Sequence, residues 1–204
     1  RALMNQILRV CGYIFHPLLM PLFGVLCYYG STPRFTEPQI MLANIYAIAT
    51  LTTFTPIVIF FMLKNIGVLS SIHLVDVKER KYPLMIQVIL MLLIVKLIFK
   101  PYQDIELYYF FVGIIATSLS ALILVLFKFK VSLHQMAIAG VTVFLIGISL
   151  HFKINMLGSI SLLCVVNGLV ASSRIHTKSH SGIELFFGFI IGGLPQFLLF
   201  GFWV

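Results

Sequence analysis

Acidic side chains are scarce in this chain: six Asp and Glu stand against fourteen Lys and Arg in 204 residues. Charged residues of both signs make up only 10%, whereas a soluble domain carries about 25%, and 60% of the residues are hydrophobic. A water-solvated globular domain is therefore excluded, and the composition is one solvated mainly by lipid. So few carboxylates also leave little to balance a divalent cation, and six histidines are too few for the histidine-rich boxes of membrane di-iron oxidases. The three cysteines, Cys11, Cys27 and Cys164, fall inside apolar runs and read as small packing residues rather than a disulfide framework. Internal repeats and low-complexity linkers are missing, and no stretch reads as a removable signal peptide. The opening on Arg1 rather than Met leaves room for sequence upstream. Nucleic-acid binding is excluded on different grounds, because the net charge of +8 is tied to short connections between apolar runs.

What is present is a succession of apolar runs, each near the ~20 residues that cross a bilayer as a helix. The pattern predicts an all-α, polytopic membrane helix bundle, a single transmembrane domain over residues 1–204. About seven helices are expected, at Ile7–Tyr29, Gln39–Leu63, Leu84–Phe99, Ile105–Phe127, Gln135–Phe152, Ile154–Ala171 and Ile183–Val204. "GSTPRFTEP", the Lys100-Pro101 pair and "FKIN" punctuate them, and the two runs around Lys153 are short for a crossing. Pro17, Pro21, Pro56 and Pro195 fall inside the runs, where neighbouring helices can satisfy freed carbonyls. Seven crossings sort the connections into two faces. The N-terminus and residues 64–83, 128–134 and 172–182 share one face; residues 30–38, 100–104, the turn at Lys153 and the C-terminus share the other. The first face holds ten of the fourteen basic residues, so an anion would bind there.

Three polar segments, 70–83, 128–135 and 172–184, emerge together on that face. They read "SSIHLVDVKERKYP", "KFKVSLHQ" and, within "SSRIHTKSHSGIELFFG", a run of two bases, two imidazoles and a carboxylate. Cations, several histidines, hydroxyls and one carboxylate form the inventory that phosphoryl transfer requires. Bases hold the non-bridging oxygens, one imidazole attacks phosphorus and another protonates the leaving oxygen. Glu184 stands at a helix start four residues after His180, one turn along the same face, where a carboxylate can orient an imidazole. Plainer readings apply elsewhere: Lys64, Lys128 and Lys130 as topology and headgroup residues, Ser132 as a helix N-cap, and His16 and His151 as structural histidines.

The third segment resembles a signature of the type 2 phosphatidic acid phosphatase superfamily. "SRIHTKSHSGIE" fits Ser-Arg, five residues, His, three residues, acid, with Glu184 in place of the usual Asp. "SLH" at 132–134 is similar to that family's Pro-Ser-Gly-His, with Val131 and Leu133 replacing Pro and Gly. The family's Lys, six residues, Arg-Pro is echoed only loosely around "KERKYP", or by His73 and Arg80 at the paired positions. The resemblance implies His180 as a nucleophile that forms a phosphohistidine, Glu184 as its orienting partner and His134 as the acid. It implies phosphate binding by Lys78, Arg80, Arg174, Ser132 and Ser173, with His73 and Lys81 as further candidates. It also implies a reaction that needs no metal or other cofactor, and a site on the extracytoplasmic face of a bacterial inner membrane, although the basic bias alone would put that face in the cytoplasm. A site at headgroup depth with almost no extramembrane domain favours a membrane lipid phosphate or diphosphate as substrate; oligomeric state is left open. Two alternatives stand beside this reading. His176, His180 and Glu184, spaced by four, would share a face of one continuous helix as metal ligands, with His134 as a fourth. The same basic cavity would also suit a lipid or anion transporter.

Overall fold

The structure, a computed structural model, describes residues 2–69 and 77–204, with side chains from Gln6 onward apart from Lys78. His73 and the side chain of Lys78 lie outside the described residues. Among the described residues every regular element is helical. Helices α1 (Ala2–Ile14) and α2 (Met20–Ser31) come first. Then α3 (Pro38–Ala49) runs through a π-helical turn (Thr50–Phe54) into α4 (Thr55–Asn65). A 3-10 turn (Val77–Arg80) leads into α5 (Lys81–Leu97), followed by α6 (Ile105–Leu126), α7 (Leu133–Phe152), α8 (Leu157–His176) and α9 (Gly182–Leu199). Among the described residues, five helical stretches are long and apolar enough to cross a membrane: Pro38–Asn65, Ile105–Leu126, Leu133–Phe152, Leu157–His176 and Gly182–Phe202. The arrangement fits an integral membrane protein.

Local chemistry explains where the helices depart from expectation. The first run is not one helix over Ile7–Tyr29 but two, of 13 and 12 residues. Pro17 supplies no N–H and disfavours helical geometry at His16, so the chain turns here and the Leu18 amide donates to His16 Nδ1 at 3.3 Å. The second run stays continuous but widens ahead of Pro56. The Thr55 amide reaches back to the Thr50 carbonyl, a π-type bond that absorbs the proline without breaking the helix. The third run, expected over Leu84–Phe99, forms a 17-residue helix displaced towards Lys81. The two runs around Lys153 are each 20 residues long, joined where Lys153 takes a left-handed conformation, φ 53°. The second of these continues past Ala171 to His176, which puts Arg174 in its last helical turn rather than in a loop.

Helix α7 is the axis of the bundle and packs against α2, α6, α8 and α9. Its Phe144 stacks on Phe110 of α6 at 4.2 Å between ring centroids, in a core that includes Val25, Met91 and Val166. The tightest approach is between α7 and α9. Gly188 and Gly192, one turn apart on α9, lie against the backbone of α7's first turns. A Cβ on Gly188 would stand 2.9 Å from the Ser132 carbonyl oxygen, and one on Gly192 would overlap the carbonyl of Met136. Small residues at such spacing let two helices touch through backbone. As a result the Ser132 amide reaches the Glu184 carbonyl at 3.4 Å, and the N-termini of α7 and α9 lie side by side.

The opposite end is closed by a buried carboxylate. Glu106, fully inaccessible on α6, receives an Arg34 guanidinium nitrogen at 2.8 Å, His151 Nε2 at 3.3 Å and the Tyr28 hydroxyl at 3.1 Å. These bonds tie α2, the 32–37 connection, α6 and the end of α7 together, and give His151 the structural role expected of it. The glycine contact yields a direct test. Gly192→Ala is expected to destabilise the purified protein by about 1–3 kcal/mol through overpacking, read as a lowered melting temperature. Gly201→Ala, where none of the described residues lies within 4 Å of the added methyl group, is expected to melt like the parent.

Candidate functional site at the cationic end of the bundle

The site is built from the N-terminus of α9 outwards. Helix α8 ends at His176, and Lys178 takes a left-handed conformation, φ 53°, a common way to end a helix. The amides of Ser179 and His180 turn back to the Arg174 carbonyl at 3.0 and 3.4 Å. Ser181 then caps α9 in a reciprocal box: its hydroxyl accepts from the Glu184 amide, while Glu184 Oε2 accepts from the Ser181 amide at 3.3 Å. The same Oε2 lies 2.6 Å from His180 Nδ1. Because a carboxylate only accepts, Nδ1 carries the proton and Nε2 of a neutral His180 presents its lone pair. The His180 side chain is 6% exposed. Burial holds its pKa below the ordinary imidazole value; Glu184 pulls it up, and the positive charges of Arg80 and Lys130 push it down. Neutral imidazole therefore prevails near neutral pH.

The second imidazole comes from α7. The Ser132 hydroxyl, fully buried, caps this helix by accepting from the Gln135 amide at 3.4 Å. It fills the N-cap role that the sequence also allows, with no exposed surface. At the start of the helix, His134 Nε2 donates to the Gly12 carbonyl at 3.2 Å, leaving Nδ1 as the ring atom available to another group. His16 packs edge-on against it, centroids 5.2 Å apart. The charges of Arg174 and His180 also act on His134.

The cations are held from behind. Ser173, fully buried, donates to the Leu8 carbonyl at 2.5 Å and accepts from Arg174 Nη2 at 3.1 Å. Gly12 has no side chain because the Arg174 guanidinium occupies that space. Arg174 Nε is buried with no acceptor among the described residues, an arrangement that favours an incoming anion. Arg80, 9% exposed, donates through Nη1 to the Val131 carbonyl at 3.3 Å, and the Glu184 charge acts on it. Lys81 instead stands over the ring of Tyr82, 4.8 Å from its centroid.

The structure therefore brings Arg80, His134, Arg174, His180 and Glu184 to one end, with Ser132 and Ser173 as supports. It adds parts that motif reading missed. Leu8 and Gly12, one turn apart on α1, hold Ser173 and His134 through backbone carbonyls, and His16 belongs beside His134 rather than in the packed core. Lys130, read as a topology residue, acts on His180. A carbonyl acceptor leaves no trace in side-chain chemistry; the only signal was a glycine one turn from a leucine. The metal arrangement of His176, His180 and Glu184 does not form. The chain leaves the helix between His176 and Gly182, His176 is exposed, and among the described residues no three His, Cys, Asp or Glu gather to hold an ion. What forms is a cationic cluster with one imidazole whose Nε2 keeps its lone pair, a second with a free ring nitrogen, and the Glu184 carboxylate already engaged.

Comparison of the chain with family models, curated proteins and solved structures gives no match. The geometry itself can be tested by imidazole NMR on histidine-labelled protein. His180 is expected to titrate below the ordinary value of about 6.5. Lys130→Ala should move that titration up by removing a repelling charge, and Glu184→Gln should move it further down by removing the attracting one.

Proposed function

We propose that the protein is an integral membrane phosphatase that hydrolyses a lipid phosphate or diphosphate through a phosphohistidine, as its resemblance to type 2 phosphatidic acid phosphatases implies. The observation that carries this reading is the His180–Glu184 bond of 2.6 Å, set among buried and half-buried cations at the end of apolar helices. It supplies a neutral imidazole with a defined tautomer and a lone pair on Nε2, which is what a nitrogen nucleophile requires. In this reading α5 and residues 15–31, the turn at Pro17 taken together with α2, complete the passage of the bilayer alongside the five longer helices, making seven crossings and leaving the site at headgroup depth.

His180 Nε2 attacks phosphorus, and the bond from phosphorus to the leaving oxygen breaks. Glu184 stabilises the positive charge that develops on the imidazole. The phosphate dianion brings the negative charge that lets His134 hold a second proton on Nδ1; this proton passes to the leaving oxygen, and the alcohol or phosphate departs. His134, now neutral, takes a proton from water as that water attacks the phosphohistidine. The phosphorus–nitrogen bond breaks, returning free His180 and inorganic phosphate. Arg174 and Arg80 hold the non-bridging oxygens, the Arg174 Nε–H finding in phosphate the acceptor it lacks among the described residues, and the resemblance assigns Lys78 the same task. The buried Ser132 contributes through the helix it caps, whose first amides favour an anion.

The test is phosphate release from lipid phosphates in bilayer nanodiscs. Activity is expected in EDTA and should be inhibited by vanadate. His180→Ala should abolish turnover while leaving the melting temperature near the parent value. Glu184→Gln and His134→Ala should each cut kcat by about 10²–10⁴. Full kcat in Glu184→Gln would remove the His180–Glu184 pair from the mechanism; loss of activity on chelation, restored by a divalent ion, would replace this reading with a metal-dependent one.

A further inference from the structure

The turn between α1 and α2 carries a third imidazole to the cationic end. Helix α1 stops at Ile14, because Pro17 disfavours helical geometry at His16. The Gly12 carbonyl, which a longer helix would have paired with the His16 amide, accepts from His134 Nε2 at 3.2 Å instead. His16 Nδ1 accepts from the Leu18 amide at 3.3 Å, so in the neutral ring the proton resides on Nε2. That N–H has no acceptor among the described residues, and the residue is only half-buried. A histidine that served packing alone would have its polar atoms paired or sealed away. His134 stands edge-on to His16, centroids 5.2 Å apart, and the Arg174 charge acts on both rings. His180 acts on His134 as well, so His134 is the ring that links the nucleophile to His16. The two neighbouring imidazoles are complementary. His16 offers an unpaired N–H, and His134, whose Nε2 is taken by Gly12, offers the lone pair of Nδ1. One oxygen atom can lie about 2.9 Å from a nitrogen on each of two rings so spaced.

We propose that the His16 Nε2–H holds the oxygen that lies across phosphorus from His180: the leaving oxygen in the first half of the reaction, the attacking water in the second. The inference rests on the phosphatase reading of the site and adds a catalytic residue to it. In-line displacement puts the entering and departing atoms on opposite sides of phosphorus, and in that reading His134 handles the proton on the side away from His180. As His180 Nε2 forms its bond to phosphorus, the bond to the leaving oxygen breaks. His134 Nδ1–H gives that oxygen its proton, and the His16 N–H hydrogen-bonds to the negative charge developing there. In the return step a water oxygen accepts from His16 through one lone pair and passes one proton to His134 Nδ1. Its other lone pair forms the bond to phosphorus as the phosphorus–nitrogen bond breaks. His16 keeps its own proton throughout, because Nδ1 stays paired with the Leu18 amide.

One test needs no turnover. In nitrogen NMR of histidine-labelled wild-type protein in nanodiscs, His16 is expected as the Nε2–H tautomer and His180 as the Nδ1–H tautomer. Vanadate, whose five-coordinate form carries an oxygen across from the nucleophile, should shift His180 and His16 Nε2 together. A Nδ1–H tautomer at His16, or a His16 ring unmoved while His180 shifts, overturns the proposal. Movement of neither ring overturns the reading of the whole site with it. The second test is kinetic. His16→Phe keeps a ring and removes the donor, so kcat on a lipid phosphate is expected to fall about 10²-fold with little change in KM. His16→Gln, whose side-chain amide can place an N–H near the Nε2 position, should recover much of that loss. A purely structural His16 would lower the melting temperature in both variants and leave kcat per folded molecule unchanged, and that result also overturns the proposal. A His16 ring moved by vanadate in a protein that releases phosphate from no substrate would sink the phosphatase reading and leave His16 as a donor to a bound oxyanion.

Discussion

The backbone contact between α7 and α9 is the constraint on which the site depends. Residues 132–134 and 180–184 are separated by two helices and a turn, and nothing in their side chains brings them together. The glycines at 188 and 192 do so by letting α9 lie directly against the carbonyls of Ser132 and Met136. Two helices held through side chains are typically 8–10 Å apart between axes; removing those side chains draws the axes closer and aligns the two N-termini. Each N-terminus is then completed by its own serine cap. The imidazoles of His134 and His180 are thus carried at rigid helix starts, which hold geometry better than free loops.

With only six acidic residues to place, the chain uses two of them in opposite ways. Glu106, itself fully buried, is held by Arg34, His151 and Tyr28 in a cluster that fastens one end of the bundle. Glu184 faces a surplus of positive charge and spends one oxygen on both the cap of α9 and the His180 ring. The first arrangement is closed, since the partners of the carboxylate come from the protein. In the second, the cations Arg80 and Lys130 stand around a carboxylate that the His180 ring and the α9 cap already share. Breaking a buried ion pair leaves an uncompensated charge, so the Glu106 end supplies stability.

Helix α1 gives the cationic end its back wall. It is too short to cross a bilayer, but it supplies the Leu8 and Gly12 carbonyls that hold Ser173 and His134, and it leaves room at Gly12 for the Arg174 guanidinium. The break at Pro17 makes this possible. An unbroken helix over Ile7–Tyr29 would have carried these residues along one straight path, whereas the turn at His16 lets α1 lie against α8 while α2 packs on α7.

Much was legible in the order of the residues alone. The apolar runs, the scarcity of charge and the period of the polar segments determined a helical membrane bundle, because a backbone in lipid has few ways to satisfy its hydrogen bonds. Span parity predicts the basic segments on one face, and the four-residue spacing of His180 and Glu184 places a carboxylate within reach of an imidazole, where the structure has the 2.6 Å bond. Other features were decided only in three dimensions. Whether Ser132 faced a ligand or capped a helix, whether His16 was core or site, and which carbonyl fixed the tautomer of His134 depended on how distant segments packed. The end of α8 at His176 likewise dissolved the metal-ligand spacing that a continuous helix would have created. Local sequence determines periodicity and capping because those interactions close within a turn or two. The direction of a ring nitrogen and the company of a guanidinium are set by long-range packing, here by two glycines and a proline that carry no chemistry of their own.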